Sequence, residues 1–103
     1  MPQSPAHLSA AQLARQERRR MGLGRTISEL RRDRGMTQQQ LADAAGISKR
    51  GVIRVEQGGT SLTVDVFFRL ADALAVRPSR LMALVEEWEA ETAGGGEEGV
   101  DSE

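Results

Sequence analysis

Residues 48 to 57 read Ser48-Lys49-Arg50-Gly51-Val52-Ile53-Arg54-Val55-Glu56-Gln57. Wound at 100° per residue, this stretch turns Val52 and Val55 one way, behind Ile47, and Lys49, Arg50, Arg54 and Gln57 the other. Such a helix has a dry side and a cationic side. Lys and Arg side chains carry only hydrogen-bond donors, and the planar Arg fork can present two at once. The O6 and N7 acceptors of guanine, side by side in the major groove of DNA, match that fork. Three cationic groups near one helix N-terminus therefore suit the reading of base edges.

Base edges are read only after phosphate contacts have fixed the register of the protein on the duplex. Helix N-termini offer amides and positive dipole for that purpose. Two such ends flank the cationic segment: Thr37-Gln38 at the start of one helix, and Ser48 at the start of the next. Gln38 is the strongest expectation for a backbone contact, with Thr37 beside it. Gln39 and Gln40 read better as a solvated face. Thr60 and Ser61, just beyond the cationic helix, supply hydroxyls within reach of phosphate, although a loop rich in Gly, Ser and Thr can be only a connection.

The elements that must hold these groups follow from apolar spacing and punctuation. Ile27, Leu30 and Arg31 share a face of a first helix over about 24–34, stopped by Gly35. Thr37 caps a second, where Leu41, Ala42 and Ala45 recur at helical intervals until Gly46. Ser48 caps the third, which Gly58-Gly59 closes, leaving a three-residue turn between the second and third as a helix-turn-helix requires. Thr63 caps a fourth with Val64, Phe67, Leu70, Ala71 and Leu74 in one stripe. Pro78 opens a fifth, with Leu81, Leu84, Val85 and Trp88 along one side. No stretch alternates long enough for a strand, so the expected fold is all-α, five helices sharing one core.

Flanking segments differ in character. Residues 1–22 are polar and Arg-rich, expected as an arm that is flexible or partly helical from Ser9, whose capping-box partner is Gln12, and broken by Gly22 and Gly24. Residues 23–90 form the folded domain. Residues 91–103 are rich in Gly and Glu, have nothing to bury, and are expected to be disordered. Charge is segregated in the same sense. Residues 1–80 hold all 14 Lys and Arg against seven acids, and residues 81–103 hold eight acids and no base, although the whole chain of 103 residues is only −1. A basic body with an acidic tail is the asymmetry of a chain that meets a polyanion.

Catalysis has little to work with. The chain has no Cys, one His (His7, in the polar N-terminal stretch), no phosphate-loop pattern and no metal-spaced ligand cluster. The expectation is a binding protein, with no enzyme activity, cofactor or metal. No apolar run nears the roughly 18 residues that span a bilayer, and Met1-Pro2-Gln3-Ser4-Pro5 lacks the pattern of a secretory signal. No membrane association and a cytoplasmic, nucleoid-bound location are expected.

The run Leu30-Arg31-Arg32-Asp33-Arg34-Gly35-Met36-Thr37-Gln38-Gln39-Gln40-Leu41-Ala42-Asp43-Ala44-Ala45-Gly46-Ile47-Ser48, then Val52 to Gly58, then Phe68 to Leu74, closely resembles the Cro and lambda-repressor-like (XRE-type) helix-turn-helix family over about residues 24–85. The resemblance implies a transcriptional regulator of double-stranded DNA, dimeric on palindromic operators with half-sites about one helical turn apart. It further implies that Gln38 contacts the DNA backbone, that Lys49, Arg50 and Arg54 face the bases with Ser48 beside them, and that Arg31 pairs with Glu56. That last pair also has a physical reason, because an acid on a DNA-facing helix repels phosphate unless a cation neutralises it. Gly51 and Ile53 depart from the family pattern.

A rival from another class keeps the fold but changes the partner: an antitoxin-like module that binds a second protein. Leu84, Val85 and Trp88 on the fifth helix could form a homodimer seam, a partner patch, or only a cover over the core.

Overall fold

Ser9 starts the first helix with a reciprocal cap, its hydroxyl accepting from the Gln12 amide at 3.1 Å while the Gln12 side chain accepts from the Ser9 amide at 2.8 Å. The computed structural model describes residues 8–101, with side chains through residue 93; His7 and the rest of residues 1–7 lie outside it, as do residues 102–103. Five helices follow in order: α1 (Ala10–Asp33), α2 (Gln38–Ala45), α3 (Lys49–Glu56), α4 (Val64–Ala73) and α5 (Pro78–Asp101). No strand occurs among the described residues.

The expected break at Gly22 and Gly24 does not occur. One helix of 24 residues runs from the Arg-rich arm straight into the domain. Each Gly costs an isolated helix about 1 kcal/mol relative to Ala, and here tertiary contact supplies the compensation. A Cβ on Gly24 would lie 2.4 Å from the Val55 carbonyl oxygen, and one on Gly22 would lie 2.6 Å from Cε3 of Trp88. These glycines are the places where α3 and α5 come close to the α1 backbone.

The remaining punctuation is local. Thr37 and Gln40 form a second reciprocal cap. Ser48 and Thr63 each accept from the amide three residues on, at 2.9 and 3.1 Å. Gly35, Gly46 and Gly58 take left-handed backbone where α1, α2 and α3 end, and after α4 the same task falls to Ala75, with φ of 56°. Glycine adopts this conformation without the clash a Cβ brings.

Ile27, Leu41, Val52, Leu70, Leu74 and Leu81 are fully buried at the centre. They are drawn from all five helices, so no helix folds without the others. α1 packs on α3 and α5, α2 on α3 and α4, and α4 on α5. Val64, expected in the α4 stripe, is instead 67% exposed. It is the first residue of α4 and lies beyond the reach of the core, which Leu70, Ala71 and Leu74 fill.

α5 runs from Pro78 to Asp101. Its packed first half supplies the nucleus, and each added residue then needs only one further hydrogen bond.

Candidate nucleic-acid interface

Val52 and Val55 fix the rotation of α3 by entering the core, at 0% and 4% exposure. The other side follows from that rotation: Ser48, Lys49, Arg50, Arg54 and Gln57 are all exposed. No carboxylate among the described residues lies within 4.0 Å of Lys49, Arg50 or Arg54. Their charge is therefore available to an outside anion. Ser48 already accepts from the Gly51 amide, which leaves its hydroxyl proton for a second partner.

Glu56 closes the helix from the inside. Its carboxylate accepts from Arg31 Nε at 2.6 Å, from Arg31 Nη2 at 3.2 Å and from Gln38 Nε2 at 3.0 Å. Arg31 also donates through Nη1 to the Met36 carbonyl at 2.8 Å. The ion-pair side chains are 10% and 7% exposed. A pair this dry adds little net stability, because desolvation offsets much of the attraction, yet an unpaired survivor would be costly. Its effect is positional. The knot ties the end of α1, the start of α2 and the end of α3 into one relative placement.

Gln38 is thus half-buried and held by Glu56, at the first position of α2 and beside the first amides of that helix. Thr37 spends its oxygen on the Gln40 amide at 3.0 Å and remains exposed. Thr60 donates to the Ser61 carbonyl at 3.2 Å and is half-buried, whereas Ser61 is exposed. The structure brings Gln38 against α3 and leaves Thr60 and Ser61 in the connection that follows it.

The three α5 residues divide. Val85 is 4% exposed and faces the interior, and it also lines the groove between α1, α4 and α5. Trp88 is half-buried against Gly22, and Leu84 is half-buried. Ile53 and Gln57 line a cleft of about 410 Å³ together with Gln38, Arg25, Arg32 and Glu29. Arg25 and Arg32 stand seven residues apart on one side of α1, and nothing local in the sequence shows that this side borders α3, so neither was expected at the site.

A short turn between α2 and α3, a capped α3 and a free cationic arc are in place, and residues 27–81 match the sequence model of a family described as helix-turn-helix. The chain belongs to this helix-turn-helix family. Among its relatives, the competence pilus inhibition repressor of Acinetobacter baylyi is 35% identical over 66 residues, 64% of this chain and 60% of the relative. The chain therefore spans less than two thirds of that repressor. An HTH-type transcriptional regulator of Sinorhizobium fredii is 31% identical over 65 residues, 63% of this chain and 84% of the relative. The restriction-modification controller protein C.AhdI of Aeromonas hydrophila is similar in structure, with a TM-score of 0.59 and 31% identity, covering 60% of this chain and 94% of that one. The clp gene regulator ClgR of Corynebacterium glutamicum shares the fold, with a TM-score of 0.74 at 22% identity over 77% of this chain and 84% of that one.

Among the described residues no helix is long and apolar enough to cross a membrane, and no group of three or more His, Cys, Asp or Glu is placed to hold a metal ion.

Proposed function

We propose that this helix-turn-helix chain is a DNA-binding transcriptional regulator that reads a specific duplex sequence with α3 in the major groove, as a homodimer on a palindromic operator. The observation that carries the reading is the exposed, unpaired set Lys49, Arg50 and Arg54 on a helix whose back is locked into the core. Gln38, Thr37, Thr60 and Ser61 serve as contacts to the DNA backbone, and Ser48 stands beside the base-facing groups. The repressor and regulator named among the relatives support the regulatory role. The protein acts by binding, without a catalytic step, in the compartment that holds the DNA.

In this reading the dimer seam is carried by exposed residues around Val85, because Val85 itself is almost buried and Trp88 is packed against Gly22. Val64, Phe68 and Met82 are 67%, 46% and 46% exposed. Val64 and Met82 line a groove of about 500 Å³ between α1, α4 and α5, with Arg20 on its α1 lip and Glu86 on its α5 lip. Opposite charges on opposite lips make the surface complementary to itself under a two-fold rotation, which favours a second copy of this chain as its occupant.

Selection of bound sites from random duplex DNA at a stated salt concentration tests the proposal. The expected product is a palindromic consensus with half-sites about one helical turn apart. Absence of any enriched sequence overturns it. If the chain instead forms a stoichiometric complex with a different purified protein through the same groove and selects no DNA, the antitoxin-like reading takes its place.

A further inference from the structure

We infer that the cleft between α1 and the exposed side of α3 seats the phosphate backbone of the same duplex, held by Arg25 and Arg32. The inference rests on the DNA-binding reading and adds two cations that the helix-turn-helix itself does not contain. Its first support is direction. At 100° per residue, Arg50, Ile53 and Gln57 fall within an arc of about 60° on α3. Ile53 and Gln57 of that arc form one wall of the cleft, so it opens beside the base-reading face.

Its second support is charge without a partner. Arg25 and Arg32 are exposed, stand seven residues apart on one side of α1, and have no carboxylate within 4.0 Å among the described residues. Neither guanidinium donates a hydrogen bond to a described group. Glu56, the acid deepest in the cleft, is already neutralised by Arg31 and engaged by Gln38. Glu29 also lines the cleft, one turn from each arginine, yet pairs with neither. The cleft therefore keeps a net positive charge.

Its third support is reach. Seven residues of helix separate the two α-carbons by about 10 Å along the axis, a span from which two long side chains can grip one strand at neighbouring phosphates. The side-chain amide of Gln57, and the second N–H of the Gln38 amide whose first is donated to Glu56, also line the cleft and offer neutral donors to the same oxygens.

The test is the salt dependence of binding to the selected operator, measured for the full chain and for Arg25→Gln, Arg32→Gln and the double variant. Each single change should reduce the magnitude of the negative slope of log K against log salt by about 0.9 and weaken binding roughly 5–10-fold at 0.1 M salt, by a similar factor on operator and on unrelated DNA. Arg25→Lys and Arg32→Lys should keep the slope, Glu29→Gln should tighten binding, and Arg80→Gln on α5 should change nothing. Circular dichroism checks that each variant stays folded. An unchanged slope in both Gln variants overturns the cleft assignment while leaving the helix-turn-helix reading intact. A loss confined to the operator places these side chains at bases and also overturns it, as does an equal slope change in Arg80→Gln, which would show a general charge effect. If the unaltered chain selects no DNA sequence, the proposed function fails first.

Discussion

Gly24 of α1 lies directly beneath Val55 of α3, so close that a Cβ would sit 2.4 Å from the Val55 carbonyl oxygen and 2.6 Å from that of Glu56. The contact is backbone against backbone, and neither side has a flexible end that can yield. Gly24→Ala should therefore destabilise the chain by about 1–3 kcal/mol, despite the gain in helix propensity, because α1 must lift from α3. Urea denaturation measures it. Equal stability in the two proteins would mean that the helices do not cross at this point.

Ala75 carries left-handed backbone at the end of α4, with φ of 56°, and its amide donates to the Asp72 carbonyl at 3.0 Å. Ala75→Gly removes the Cβ clash while adding chain entropy to the unfolded state. The first effect is the larger one, and a net stabilisation of roughly 0.5–1 kcal/mol is expected. Thermal denaturation should show a midpoint higher by a few degrees; a lower one contradicts the assignment.

The Arg31–Glu56 pair predicts strong coupling. Arg31→Met alone leaves a carboxylate buried without its cation and should cost about 3–5 kcal/mol, whereas Arg31→Met with Glu56→Leu should cost much less. A double-mutant cycle in urea reads the difference. Additive losses would show that the two charges do not depend on each other.

DNA affinity separates the roles on α2 and α3. Arg50→Ala and Arg54→Ala should each weaken operator binding by about 1–3 kcal/mol and relax its specificity. Gln38→Ala should weaken binding to all sequences alike, and should also lower stability by about 1 kcal/mol through its lost bond to Glu56. Gel-shift titrations on operator and scrambled duplex, alongside melting curves, separate the two effects. Full discrimination in both Arg variants would move base reading elsewhere.

The proposed seam is open to a charge test. Met82→Asp or Val64→Asp introduces a carboxylate onto exposed apolar surface without touching the core. Either change should turn a dimer into a folded monomer in sedimentation experiments. A wild-type chain that is monomeric at high concentration would exclude the seam.

Much of this molecule is written locally in its residues. Ser9, Thr37, Ser48 and Thr63 begin helices because a side-chain oxygen reaches the amide three residues on, a contact that needs nothing from the rest of the chain. Gly35, Gly46 and Gly58 end helices for an equally local reason. The amphipathic pattern of residues 48–57 likewise orients Lys49, Arg50 and Arg54 once Val52 and Val55 are inside.

Tertiary structure decided the rest, because it depends on distances between residues far apart in the sequence. Gly22 and Gly24 look like helix breaks in isolation, and only the approach of Trp88 and the Val55 carbonyl makes them points of contact within one helix. Val85 is apolar at the same spacing as an exposed seam would be, and packing against neighbouring helices, which no local pattern encodes, leaves it only 4% exposed. Arg25 and Arg32 are ordinary arginines along the chain. They become a pair facing a cleft because α3 is held beside that side of α1 by the Arg31–Glu56 knot.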